Sequence, residues 1–235
     1  MPLLQIIQHV CKRQNIPVPT TALGSGQDQV VQLIGLLEEE CNDLASRHDW
    51  QALTFEAAHT TVAAEDQGAI STIAANGFRY IKNNTIWDRT RRLPVYGPMS
   101  GQNWQAVKAI AVNGPNYQFR IRGGKLLSNP APTAGNNWRF EYVSHNFIID
   151  PNGITYKQYF TNDDDALLLP ENLLIMGLRW RYLREKGMDY AELFRIYEMQ
   201  VKDAMGRDAG KPTLNMGEGR DVGPSVFIPA GSWIP

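Results

Sequence analysis

The sequence predicts an α+β protein: a helical bundle formed by the N- and C-terminal helix pairs, a β-rich inserted domain between them, and an extended C-terminal arm. Three observations predict it. Apolar residues recur at spacings of 3 and 4 near both ends, the pattern between them changes to alternation, and neither period survives beyond about residue 207. The expected layout is 1–49 and 165–207 for the bundle, 50–164 for the β-rich insertion and 208–235 for the arm.

The stretch Leu167–Met205 carries most of this reading. Pro170 suits a first helical position, where a missing N–H is no loss. The run Glu171–Lys186 follows, and Gly187 stops it, with Arg184 and Lys186 in the last turn, where cations meet the negative helix end. Asp189 is placed to cap a second helix, with Glu192 three residues on as a capping box requires. That helix carries Tyr190, Leu193, Phe194, Tyr197, Val201 and Ala204 on one face, and Gly206-Arg207-Asp208-Ala209-Gly210-Lys211-Pro212 is expected to break it. Helices joined by so short a turn are antiparallel neighbours that need a partner surface.

The N-terminus offers one. Pro2 to Asn15 reads as a helix with Leu3, Ile7, Val10 and Cys11 on one side, ended by Pro17 and Pro19. A second helix runs from about Asp28 to His48, with Val30, Ile34, Leu37, Cys41, Leu44 and His48 as its stripe. Glu38, Glu39 and Glu40 fall mid-helix and are expected to form a solvated face. His48 at the helix end suits the dipole.

From Trp50 to about Tyr159 the text is β-like. Phe55–Val62 has strand composition, and Tyr117–Arg122, Gly123-Gly124 and Lys125–Leu127 spell a hairpin. Trp138, Phe140 and Tyr142 alternate with Arg139, Glu141 and Val143 as a half-buried strand would. One short helix is expected, capped by Ser100, with Trp104, Val107 and Ile110 or Ala111 toward the sheet. After Met205 come glycines and prolines, yet the arm ends in Val226-Phe227-Ile228-Pro229 and Trp233-Ile234-Pro235, poor residues to leave in water. These side chains (Val226, Phe227, Ile228, Pro229, Trp233 and Ile234) are the candidate interface, an arm docking on another subunit.

Composition bounds the function. At 43% hydrophobic and 20% charged residues the chain is globular, and a net charge of -1 gives no global pull toward nucleic acid or an anionic membrane. No apolar run is long enough to span a bilayer. Met1 leads straight into an amphipathic helix, so no secretory signal is expected. Cys11 and Cys41, the two cysteines, sit on apolar helix faces; reduced core thiols are favoured over a disulfide.

Chemistry is sparse. None of His9, His48, His59 or His145 lies in a nucleophile, phosphate-loop or zinc motif, so no catalytic residue, metal or cofactor is expected. Asp163-Asp164-Asp165 lacks calcium-loop spacing and is expected to serve a helix N-terminus. Asp49, Glu56 and Glu141 offer carboxylate pairs of the kind glycan hydrolysis uses. Phe78–Lys82 and Trp87–Arg92 interleave aromatics with cations, as a single-strand binding face or an ordinary strand edge does.

Several stretches taken in order carry a resemblance: Arg47–Leu53, Trp87–Arg92, Gly97–Ser100, Phe119–Lys125, and Gly177–Arg181 with Lys186–Tyr190. Together they resemble the head-to-tail adaptor proteins of tailed bacteriophages, also called tail accessory factors or head-completion proteins, over most of the chain up to about residue 210. The resemblance implies a structural virion protein that forms a homo-oligomeric ring, usually of twelve subunits, beneath the portal. Its partners would be the portal protein and the tail nozzle, tube and fibre proteins. Genomic DNA would pass through without sequence recognition, with no membrane involved, in the virion neck and, during assembly, the host cytoplasm. Two alternatives stand beside it: a nucleic-acid-binding module using residues 78–92, and a cell-wall glycan hydrolase.

Overall fold

The computed structural model describes residues 1–110, 114 and 116–208; the arm residues Val226, Phe227, Ile228, Pro229, Trp233 and Ile234 lie outside them. The fold is mixed α+β with antiparallel sheets. Two helices open the chain, α1 (Leu3–Gln14) and α2 (Asp28–Arg47). Then come β1 (Thr54–Thr60), β2 (Asp66–Ala69), a one-turn α3 (Ile70–Ile73), β3 (Tyr80–Ile81), β4 (Trp87–Asp88) and β5 (Leu93–Pro94). Next are α4 (Gly101–Ala109), β6 (Gln118–Arg122), β7 (Lys125–Asn129), β8 (Asn137–Val143), β9 (Ile148–Ile149), β10 (Tyr156–Lys157) and β11 (Ala166–Leu167). Two helices, α5 (Glu171–Glu185) and α6 (Ala191–Asp208), end the described chain. None of the described helices is long and apolar enough to cross a membrane.

The terminal helices meet. One continuous apolar core holds Leu3, Ile7 and Val10 of α1, Leu33, Leu37 and Leu44 of α2, Leu174 and Leu178 of α5, and Tyr197 and Val201 of α6. Trp50, Val143, Phe147 and Phe160, from the β-rich stretch, complete it. Burying each large side chain contributes roughly 1.5–3 kcal/mol, so this core is the main source of stability for the helical part. Cys11 and Cys41 are both buried and unbonded, and burial pushes both thiols up.

The second core lies in the β-rich part, around Trp138, Phe140 and Tyr142 of β8 with Ala57, Ile70, Phe119 and Leu126. β8 is the spine of its sheet: β1 pairs along one edge from Thr54↔Val143 to Thr60↔Asn137, and β3 and β4 share the other. Arg139 and Glu141 point away from the core, as alternation requires. Val143 departs from that alternation pattern because the strand end enters the helical core. β6 and β7 form the expected hairpin, with Gly123 and Gly124 at φ 59° and 72°, the pair of positive values a tight two-residue turn demands.

Several expectations need correction. α6 continues through Gly206 and ends at Asp208, inside the stretch Gly206 to Pro212 expected to break it, and Asp208 Oδ2 accepts the Gln51 N–H at 2.8 Å, which fixes the last turn. Asp189 does accept the Ala191 N–H at 3.1 Å, but Glu192 pairs with Arg195 rather than returning to close a capping box. Ser100 caps α4 through the Asn103 N–H and Trp104 is buried; Ile110 is 60% exposed, and Ala111, the other residue expected toward the sheet, lies outside the described residues. Tyr190 and Phe194 lie at the rim of the α6 face, more than a third exposed.

The acid triplet also behaves differently from expectation. It does not serve α5; it serves α1 and the loop after it. The carbonyls of Asp165 and Asp163 accept the N–H groups of Leu3 and Leu4, orphan donors of the first turn of α1. The Asp163 carboxylate accepts the Ala22 and Leu23 N–H groups, both at 2.8 Å. The Asp165 side chain has no accessible surface and accepts from Lys157 Nζ at 2.8 Å and from the Thr161 and Asn162 N–H groups at 2.8 and 2.9 Å. Burial would raise this carboxyl, but Lys157 and the two N–H groups outweigh it and hold it low. A depressed folded value means the stabilisation is complete above the unfolded value of about 3.9 and is lost as pH falls through the folded one. Asp165→Asn should therefore cost about 3 kcal/mol at pH 7, and the deficit should shrink as pH falls from about 3.9 through the depressed folded value. Urea melts of both proteins at pH 7 and in acid check it.

Candidate functional site

The most strongly built polar feature is a hub between α2, α5 and α6. Its stripe positions explain how it forms. On α2, Leu33, Leu37, Glu40 and Leu44 lie on one line at spacings of 4, 3 and 4, so Glu40 is carried into the core with its apolar neighbours. The expectation that all of Glu38–Glu40 are solvated is wrong at Glu40, which is fully buried. Ile34 is only partly buried, and Leu33 takes its place in the stripe.

Glu40 needs partners there, because an unpaired buried carboxylate is strongly disfavoured. Arg181 of α5, itself 4% exposed, donates Nε to Glu40 Oε2 at 2.6 Å, and Tyr197 of α6 donates its hydroxyl to Oε1. The other Arg181 nitrogens reach Glu39 at 2.5 Å and Asp43 at 3.0 Å. Asp43 and Glu198 then hold Arg47 at 2.9 and 2.6 Å. Gly177 makes the approach possible: a Cβ there would stand 2.1 Å from Glu40 Oε1. Burial would lower the Arg181 guanidinium, but Glu40, Glu39 and Asp43 outweigh it and keep it cationic. Burial, with Glu40 beside it, pushes the Tyr197 hydroxyl far up, so Tyr197 stays a donor. An aromatic cluster covers the hub: Trp180 meets Phe194 edge-on at 4.9 Å and receives Arg181 at 4.8 Å over its ring. Glu40, Arg181 and Tyr197 are shut off from solvent, while Glu39 and Asp43 at the rim reach it, so the centre of the hub orients helices.

The basic and aromatic segment 78–92 is largely engaged within the subunit. Arg79 donates to the Ala45 carbonyl at 2.6 Å and to Ser46, tying the sheet to the end of α2. Tyr80 donates to Asp49, Arg89 pairs with Glu56 at 2.9 Å, and Arg91 lies 4.6 Å over the Tyr117 ring. Lys82 donates its backbone N–H to the Glu141 carbonyl at 2.9 Å, and the side chains of Lys82 and Arg92 have no hydrogen-bond or ion-pair partner among the described residues.

Of the carboxylates singled out for hydrolysis, Glu56 and Glu141 are brought together, directly opposite in the β1–β8 register, while Asp49 is elsewhere with Tyr80. They line an open cleft of about 330 Å³ with Trp87, Arg89 and Arg139. Two arginines neutralise Glu56, at 2.9 and 3.4 Å, the reverse of the apolar setting that prepares a carboxyl to donate a proton. Among the described residues no cluster of three or more His, Cys, Asp and Glu side chains could hold a metal ion. His48 stays at the end of α2, 3.5 Å from Asp208 and edge-on to Trp50, and His59 contacts Gln67.

Sequence reasoning missed Glu40, Arg181 and Tyr197 as a unit. The available signal was an acid at a core spacing on one helix facing an arginine inside an apolar run on another. Comparison with protein-family models and with curated proteins gives no match.

Proposed function

We propose that this chain is a structural head-to-tail adaptor, a ring subunit that joins a capsid portal to a tail and leaves a channel for DNA. The observation that carries the proposal is the way the two ends of the chain lock together. Arg181 and Glu40, 141 residues apart in sequence, form a buried ion pair, and the 163–165 loop fastens the start of α1. A ring joint under load needs such a frame, and it needs no chemistry.

In this reading the terminal helices are one bundle domain, residues 50–164 are an inserted domain that touches neighbours, and residues 208–235 are an arm that fastens the ring. The near-neutral net charge of -1 suits a wall that DNA slides past. The motif set that resembles phage adaptors supports the same reading.

The test is binding of the full chain to isolated portal and, separately, to duplex and single-stranded DNA across salt. The proposal expects tight portal binding and weak DNA binding. DNA affinity in the nanomolar range that falls steeply with salt, and is lost when Arg79, Lys82, Arg89, Arg91 and Arg92 are neutralised, would replace it with the nucleic-acid reading.

A further inference from the structure

Sheet edges present unpaired N–H and C=O groups, and proteins guard them with short strands, prolines, bulges or covering chain. Most edges here are guarded. β5 has two residues, one of them Pro94. β3, β10 and β11 are equally short. β2 is irregular in register, with Gly68 at φ 106°. The outer side of β6 is covered by residues 96–99: Phe119 donates to the Tyr96 carbonyl at 2.8 Å and accepts from Met99 at 3.0 Å.

β1 is the exception. It pairs with β8 over all seven of its residues, and among the described residues nothing hydrogen-bonds to its other side. Its sequence, Thr-Phe-Glu-Ala-Ala-His-Thr, has no proline or lysine and one carboxylate. Glu56, Ala58 and Thr60 are exposed. At about 3.3 Å per residue this is an open edge roughly 20 Å long.

We infer that β1 is the acceptor for a strand contributed by Ser225–Ile228 of a neighbouring copy. The inference rests on the ring reading only in requiring copies side by side. Three observations select that occupant. First, α6 ends close to the start of β1, because Asp208 is held by the Gln51 N–H, three residues before β1 begins. Second, the residues that follow at once, Ala209-Gly210-Lys211-Pro212, are poor strand formers. Ser225-Val226-Phe227-Ile228 has strand composition and is bounded by Pro224 and Pro229, which limits the graft to four residues, two of whose N–H groups can face β1. Third, Ser225 lies 17 residues past Asp208 (225 minus 208), a reach of up to about 60 Å. A compact chain of this length has a radius of gyration near ~18 Å, so the segment can pass its own subunit and meet the next. Main-chain pairing supplies affinity, and Val226 and Ile228, on one face of the added strand, supply apolar contact.

Disulfide trapping between full-length chains tests this. Chains carrying Phe227→Cys are mixed with size-tagged chains carrying Glu56→Cys, Ala58→Cys or Thr60→Cys, and oxidised; Arg92→Cys is the control. Cys11 and Cys41 are buried and do not compete. The expected result is an interchain link at one of the three β1 positions, on the order of tenfold or more above the control, since a disulfide needs Cα atoms within about 7 Å. Adding Val226→Pro to the Phe227→Cys chain should remove the link, whereas Val226→Ala should only weaken it, because both lose the Val226 side chain and proline alone also deletes a donor. Equal linking at every position, or a link only within one chain, overturns the assignment. The native mass of the same samples separates the two proposals: a ring without the link removes strand addition alone. Monomers without any interchain link remove strand addition and the ring together.

Discussion

Replacing Arg181 by methionine should lower folding stability by about 3–5 kcal/mol, since removing one partner of a buried pair leaves an uncompensated charge. For a chain of this size that is a fall in Tm of roughly 8–16 °C. The charge left behind is Glu40, fully buried and then held by Tyr197 alone. Glu39 and Asp43 also lose their contact, but both reach solvent and add little. The informative comparison is the triple variant Glu40→Leu, Arg181→Met, Tyr197→Phe. An apolar replacement of a whole buried network is often neutral or stabilising, so this variant should recover most of the loss. Chemical denaturation of the parent, the single variant and the triple variant decides it. A change below about 0.5 kcal/mol in Arg181→Met would mean that the hub does not hold the helices. Recovery of stability with loss of assembly would show that the hub fixes helix orientation for the ring.

Deleting residues 222–235 should do the opposite. The folded subunit should keep its stability to within about 0.5 kcal/mol, because the proposal places the arm's anchors on a neighbour and the two cores described above draw on residues outside the arm. Assembly should weaken by about 100-fold or more. The arm carries Val226, Phe227, Ile228, Trp233 and Ile234, each contributing roughly 1.5–3 kcal/mol if fully buried. A net of about 3 kcal/mol per contact already corresponds to a factor of more than 100. Urea melts and sedimentation of the truncated and full chains provide the two numbers. A truncated chain that melts several degrees lower would place the arm in its own subunit's core instead.

The terminal helices were legible because their apolar residues repeat at helical spacing over several turns, and because Pro170 and Gly187 mark boundaries that packing does not override. The hairpin was legible from Gly123-Gly124 alone. The hub was not, and the reason lies in the geometry of α2. Ile34 and Leu33 both continue the stripe from Val30, and only the choice of Leu33 carries Glu40 inward. That choice is made by Gly177 and Arg181 on a helix about 140 residues away, which no local window contains. The end of α6 falls within the stretch Gly206 to Pro212 that marks it in the sequence, although Gly206 is a weak helix residue and a contact from Asp208 to Gln51 holds the last turn. The open edge of β1 was also invisible, since an edge is defined by the strands that fail to pair with it.

The central claim is that this chain is built to be one of several identical copies around a channel. The most direct test is the native mass of the full-length protein, alone and after mixing with portal. The adaptor reading predicts a closed ring, at the latest on portal, with a mass that is a whole multiple of the 26.4 kDa subunit and, by the resemblance, twelve copies. A chain that stays monomeric at micromolar concentration and does not join the portal would contradict it.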